Sequence, residues 1–168
     1  MQAMTDMRPA GTKIRQAGPD DAAELARLRW EFSSELHPAD EDLPAFAPRF
    51  TRALTDFLDS GRWIIWVAEL GEQLIGTIWV ERVDKVPRPY ERPLHWGYVT
   101  NVYVAPAHRN GGIGRGMLEA AVADARTAGW QLLILWPSEL SGEFYARAGF
   151  ARSADVLELD LVGEASER

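Results

Sequence analysis

Four glycines crowd one short segment, Arg109-Asn110-Gly111-Gly112-Ile113-Gly114-Arg115-Gly116, two residues after the apolar run Val102-Tyr103-Val104-Ala105-Pro106. The pattern is that of a strand, a short loop and a helix start. The first turn of a helix has N–H groups without internal partners and carries the positive end of the dipole. Glycines let a phosphate approach the backbone and permit the positive φ that a nest of N–H groups requires. Arg109 and Arg115 add positive charge. The chemistry implied is anion capture, and a pyrophosphate fits best.

Spacing narrows the ligand. No Gly-Lys-Ser/Thr follows, so the nucleotide P-loop pattern fails. The dinucleotide fingerprint fails too, because Met117 stands where its third glycine belongs. The plainer alternative is a glycine-rich turn that only caps a helix. Each glycine in a first turn weakens a helix by about 1 kcal/mol relative to alanine, and a cap alone does not need four of them.

The elements that must position this loop follow from periodicity. Lys13 to Ala17 reads as a first strand. Pro19-Asp20-Asp21 opens a helix, with Asp21 and Glu24 at capping-box spacing and Leu25, Leu28, Phe32 and Leu36 on one face. His37 to Pro44 is a loop. A second helix puts Phe46, Phe50, Leu54 and Phe57 on one face and ends near Gly61. Trp63 to Leu70 and Gln73 to Asp84 form a hairpin about Gly71-Glu72. Trp96 to Val104 is a strand and Gly112 to Ala128 a helix with Ile113, Met117, Ala121, Val122 and Ala125 inward. Trp130 to Trp136 is almost continuously apolar, which predicts a central strand. Ser141 to Ala148 is a short helix stopped by Gly149, and Val156 to Leu161 alternates and closes the sheet.

The order β-α-α-β-β-β-α-β-α-β predicts an α/β (α+β) fold: a mixed sheet with helices on both faces. The crossover from Trp96–Val104 to Trp130–Trp136 is expected to be parallel and right-handed. Residues 1–11 read as a loose tail, 12–162 as a single domain and 163–168 as a frayed end.

Composition restricts the partners. The chain has 168 residues, 46% hydrophobic and 26% charged, with no cysteine. That is enough chain for a core without staples. Disulfides, thiolate metal sites and a cysteine nucleophile are excluded. A net charge of −7 argues against nucleic acid as a partner. No apolar run spans a bilayer and the first residues lack a signal-peptide core, so a cytoplasmic protein without a membrane partner is expected.

Arg109-Asn110-Gly111-Gly112-Ile113-Gly114 resembles the Arg/Gln-x-x-Gly-x-Gly/Ala loop of the GNAT N-acetyltransferase superfamily. Val102 to Pro106 is similar to the family's preceding strand, and Phe144-Tyr145-Ala146-Arg147-Ala148-Gly149-Phe150 to its Phe-Tyr-x-x-x-Gly-Phe segment. The element order also corresponds, over roughly residues 12 to 161. The resemblance implies a mostly antiparallel sheet with one splayed parallel strand pair that admits acetyl-coenzyme A (acetyl-CoA) as co-substrate. By carry-over, Val102, Tyr103 and Val104 line the pantetheine arm, with the backbone of Val102 and Val104 pairing with it like an added strand. Arg109, Asn110, Gly111, Gly112, Ile113, Gly114 and Arg115 receive the pyrophosphate. Tyr145 lies near the thioester sulfur. Ser138 stands where the family often has asparagine, offering one hydroxyl in place of a carbonyl and an amide. Ser141 either caps its helix or touches the cofactor.

The reaction so implied is direct acetyl transfer to an amine. With no cysteine, no acyl-enzyme thioester can form. The Val102 N–H is the candidate for the thioester carbonyl and Tyr145 for the leaving sulfur, against the alternative that Tyr145 only packs its helix. A lysine-type amine has a pKa near 10.4 and must lose a proton first. The family's strand carboxylate is replaced here by Tyr98, with Thr100 on the same face. His95, Glu91 and Glu81, or water on strand carbonyls, are the other candidate bases. His37, Asp40, Glu41 and Asp42 read as a solvated face and not as a metal site, and the acids favour a small cationic amine acceptor. Tryptophans 63, 66, 79, 96, 130 and 136 read mostly as core, with Trp79 and Trp96 as candidates for the acceptor pocket. The rival functions are acetylation of protein N-termini or lysines, and a non-catalytic acyl-CoA sensor. The resemblance also allows a homodimer through the apolar last strand.

Overall fold

In the computed structural model, residues 8–89, 95–139, 141–153 and 156–159 are described. They fall into two compact units, one up to Leu135 and one from Trp136 onward. Among them no helix is long and apolar enough to cross a membrane.

The first unit is built on five strands: β1 (Lys13–Gln16), β2 (Trp63–Leu70), β3 (Gln73–Asp84), β4 (His95–Val104) and β5 (Leu132–Ile134). Their order in the sheet is the order in the chain. Pairing is antiparallel from β1 to β4 and parallel between β4 and β5, so the expected mixed, mostly antiparallel α/β architecture holds. Gly71 turns the β2–β3 hairpin at φ +64°, where a side chain would be strained.

Three helices belong to this unit: α1 (Ala22–Leu36), α2 (Leu43–Asp59) and α3 (Ile113–Thr127). Ile65 and Trp79, paired across β2 and β3, share a core with Leu25, Leu28 and Leu54 of α1 and α2. On the opposite face, a Cβ on Gly76 would lie 2.9 Å from Met117 of α3. Helices therefore cover both faces. Burying each such aliphatic side chain contributes about 1.5–3 kcal/mol.

Some details depart from expectation. The cap lies one turn earlier than predicted: Gly18 N–H donates to Asp21 at 2.8 Å, while Glu24 binds Arg27. Leu36, expected inward, is 63% exposed at the end of α1. Among the described residues, three positions of the apolar run 130–136 pair, with β4, and Leu132 is 41% exposed, which puts the run at the edge of the described sheet and not at its centre. The strand expected to cover it is absent from residues 156–159, where Leu157 is 96% exposed; residues 160 and 161 lie outside the described residues. In the second unit the predicted short helix is α4 (Gly142–Arg147), stopped by Gly149 at φ +91°.

Candidate active site

Strand β4 changes character part-way along. Thr77 faces Tyr103 but Trp79 faces Thr100, so β4 has one extra residue there. Asn101 takes φ +48° at this bulge. Asparagine tolerates the left-handed region better than most residues.

The edge of β4 away from β3 is only partly used. β5 pairs with Trp96, Gly97 and Tyr98 and no further. Among the described residues, no strand lies beside Val99 to Val104 on that edge. Ala105 N–H donates to Ile75 at 2.9 Å, toward β3. Alternation then directs the polar groups of Tyr103 to β3 and those of Val104 to the open edge. The Tyr103 side chain is buried on Phe32, so this residue frames the edge and does not face it.

The glycine loop continues from that edge. A single 3-10 turn, Pro106–His108, leads to Arg109. Asn110 has φ +63° and Gly112 φ +76°. The first internal bond of α3 is Gly116 N–H to the Gly112 carbonyl at 2.9 Å. The N–H groups of Ile113 and Gly114 precede it, in the first turn of the helix. Asn110 and Gly112, left-handed residues just before the helix start, have the conformation that turns successive N–H groups toward an anion. Gly116 has a different reason to be glycine: a Cβ there would lie 2.7 Å from Ile14 of β1.

The two arginines expected to add charge are both engaged. Arg109 Nε donates to the Val104 carbonyl at 2.9 Å and its Nη2 to Glu35 at 2.6 Å. Arg115 pairs with Glu119 at 2.7 Å. Neither guanidinium is held in reserve for a ligand of the loop, which leaves the backbone N–H groups as its candidate anion donors. Glu35 also accepts from the Tyr103 hydroxyl at 2.7 Å. Sequence reasoning missed this three-residue network, because it joins α1 to β4 and the loop through the tertiary fold. Glu35 and Tyr103 border an open groove of about 620 Å3, with Trp30, Glu31 and His108 among its walls.

In the second unit, the Tyr145 ring lies edge-on to Phe144 and Phe150, with centroids at 5.0 and 5.8 Å. Burial pushes its pKa up to about 12, so it is a protonated donor at neutral pH. Ser138 and Ser141 bind each other. Ser138 donates to the Ser141 hydroxyl, and Ser141 donates to the Ser138 carbonyl, each at 3.0 Å. Ser141 does not cap α4 through its side chain.

Candidate bases separate by position. His95 is held by Asp84 at 2.8 Å at the start of β4, about 20 Å along the strand from Val102. Glu81 pairs loosely with Arg62 at 3.7 Å. Glu91 lies outside the described residues. Tyr98 and Thr100 sit on β4 closest to the bulge. Trp79 is core, between Phe50, Phe57 and Trp63, and not a pocket wall. Trp96 lies beneath Lys85 at 4.3 Å. The acids after α1 have structural partners: Glu41 binds Arg49, and Asp42 caps α2 by accepting from Ala45 N–H at 3.0 Å. Among the described residues, no group of three His, Cys, Asp or Glu side chains is placed to hold a metal.

A family profile described as the acetyltransferase (GNAT) domain matches residues 61–152, more than half of the chain and the whole of β2 to α4. The chain belongs to the GNAT acetyltransferase family. It is therefore an acyltransferase, and the matched residues include β4 and the glycine loop. A solved structure of a predicted acetyltransferase with acetyl-CoA from Clostridium acetobutylicum is 26% identical, with a TM-score of 0.74 over 92% of this chain and 99% of that one. A GCN5-related N-acetyltransferase from Ralstonia eutropha JMP134 is 27% identical, with a TM-score of 0.68 over 89% and 99%. An aminoglycoside acetyltransferase from an uncultured soil metagenomic sample shares the fold, with a TM-score of 0.72 at 15% identity over 89% and 95%. No curated protein sequence matches the chain.

Proposed function

We propose that this GNAT enzyme transfers acetyl from acetyl-CoA directly to the primary amine of a small molecule in the cytoplasm. One observation carries the reading: the edge of β4 beyond Tyr98, beside which no strand lies among the described residues, runs straight into the left-handed residues Asn110 and Gly112 and the first turn of α3. An extended pantetheine arm can add to that edge as a strand does, with Val102 and Val104 as its backbone partners. The pyrophosphate then meets the N–H groups from Asn110 to Arg115.

The amine nitrogen attacks the thioester carbonyl carbon, the C–S bond breaks, nitrogen gives up a proton and sulfur receives one. The bulge at Asn101 frees the Val102 N–H from the β3 ladder to stabilise the carbonyl oxygen as charge develops. Tyr145 is assigned to the sulfur. Full proton transfer from a phenol near pKa 12 to a thiolate near 8.5 is uphill by about 5 kcal/mol. Its role is therefore hydrogen-bond donation, with solvent completing the protonation. Proton removal from the amine falls to water held by β4 carbonyls or by Thr100, since His95 is too distant. The internal bonding of Ser138 and Ser141 leaves them a lesser part in cofactor contact than an asparagine would have.

Calorimetric titration with acetyl-CoA, beside acetyl-pantetheine lacking the pyrophosphate, tests the reading. Micromolar binding that weakens sharply without the pyrophosphate is expected. Equal binding of both would remove the glycine loop from the site, and no binding of either would refute the function.

A further inference from the structure

Helix α1 carries two arginines with opposite surroundings. Arg27 binds Glu24 at 2.8 Å and Glu31 at 2.7 Å. The remaining acid of the helix, Glu35, is bound to Arg109 and Tyr103. Arg29 has none of them. Its Nη1 donates to Asn101 Oδ1 at 3.1 Å, and its guanidinium lies 5.5 Å from the Phe32 ring centroid. Among the described residues no carboxylate pairs with it. The helix supplies none, because the positions three and four residues away are Leu25, Ala26, Phe32 and Ser33.

A guanidinium offers five N–H donors, and Asn101 takes one. Burial lowers the pKa of Arg29, which records that the charge is poorly solvated where it sits. A half-buried cation without an anion is costly, and an anion arriving there gains the full strength of charge-assisted bonds. The position matters as much as the charge. Asn101 is the bulge residue at φ +48°, directly before the Val102 N–H that the acetyl-transfer reading assigns to the thioester carbonyl. Val104 is about 10 Å further along the strand, and the glycine loop lies beyond it. The pyrophosphate is therefore out of reach of Arg29, while a group on the incoming amine is not.

We propose that Arg29 binds an anionic group, a carboxylate or a phosphate, carried by the acceptor itself, so that the substrate is an acidic amine and not a polycation. The proposal rests on the acetyltransferase reading. It replaces the expectation that the acids at 40–42 select a cation, since Glu41 and Asp42 already bind Arg49 and the start of α2.

The test is acetyl transfer to matched acceptors: the amino acids against their amides, glucosamine 6-phosphate against glucosamine, and spermidine. The wild type is expected to prefer the acidic member of a pair by about tenfold or more in kcat/KM. Preference for amino acids alone identifies a carboxylate, and for the sugar phosphate alone a phosphate. Arg29→Met is expected to erase the preference and Arg29→Lys to keep part of it, both with unchanged acetyl-CoA affinity. Better use of amides, glucosamine or spermidine overturns the proposal. So does an equal loss on both members of a pair in Arg29→Met, which would make Arg29 a support for Asn101 only. Acetyl-CoA binding with no acid preference defeats this inference and leaves the acetyltransferase reading standing. A readout without turnover is the Arg29 Nε–H resonance during titration of the same acids, with and without CoA. A shift caused by an acid and not by its neutral counterpart supports the anion site; no shift overturns it.

Discussion

Glu35 and Arg109 meet at 2.6 Å, joining the end of α1 to the loop that precedes α3. Burial pushes the Glu35 carboxyl up, but donation from Arg109 and Tyr103 outweighs it and holds the pKa below the usual carboxylate range. A lowered folded-state pKa contributes stability above the ordinary value near 4.3, and that contribution is lost as pH falls through the folded value. Glu35→Gln is therefore expected to lower Tm at pH 7 and to match the wild type in acid, below the ordinary carboxylate range. Both side chains are over one-third exposed, so the stability loss is about 1 kcal/mol or less. Thermal melts across pH check the sign, and the reverse trend would show that the pair does not fasten the loop.

Gly112 and Gly116 are one helical turn apart and have different tasks. Gly112 holds φ +76°, so Gly112→Ala places a side chain in the left-handed region at about 1–2 kcal/mol and disturbs the N–H nest. Acetyl-CoA affinity is expected to fall several-fold, and Gly112→Glu, adding negative charge against the pyrophosphate, to abolish it. Gly116 is pressed against β1, where a Cβ would come within 2.7 Å of Ile14. Gly116→Val is expected to lower Tm by overpacking while acetyl-CoA Kd stays within about twofold. Loss of affinity in Gly116→Val at normal stability would return Gly116 to the anion site.

The parts of the fold legible in the sequence are those written locally. Gly71 between two β-branched and aromatic runs marked the β2–β3 hairpin to the residue. Gly112 and Gly149 marked a helix start and a helix stop. The parts that were not legible depend on neighbours distant in sequence. The run 130–136 is as apolar as a central strand, but position in a sheet is set by what lies on each side. Arg109 carried the charge expected of an anion site, yet the fold gives it Glu35 instead. Arg29 did leave a local signal, the lack of any acid three or four residues away, but only its contact with Asn101 makes that lack meaningful.

Gly97 controls how closely β5 approaches β4. A Cβ there would lie 2.4 Å from Leu133 and 2.6 Å from the Trp130 ring. Leu133 is the β5 residue paired with Gly97 itself, and Trp130 lies just before the three-residue pairing that ends at Tyr98. Gly97→Ala is expected to destabilise the protein by about 1–3 kcal/mol through overpacking, measured by denaturant titration. An unchanged midpoint would mean that β5 can shift freely against β4.

Tyr145 offers the sharpest separation of chemistry from packing. With its pKa at about 12, the hydroxyl stays protonated throughout the working range, so no tyrosine limb is expected in the kcat profile below about pH 11. Tyr145→Phe keeps the contacts with Phe144 and Phe150 and removes only the donor. Its kcat is expected to fall roughly tenfold, with acetyl-CoA KM little changed, because the bond strengthens as negative charge develops on sulfur. The deficit has a further signature. An acetyl thioester of a more acidic thiol needs less help to leave, so the gap between wild type and Tyr145→Phe should narrow with it. Parallel rates for the two proteins on every thioester would reduce Tyr145 to a packing residue of α4.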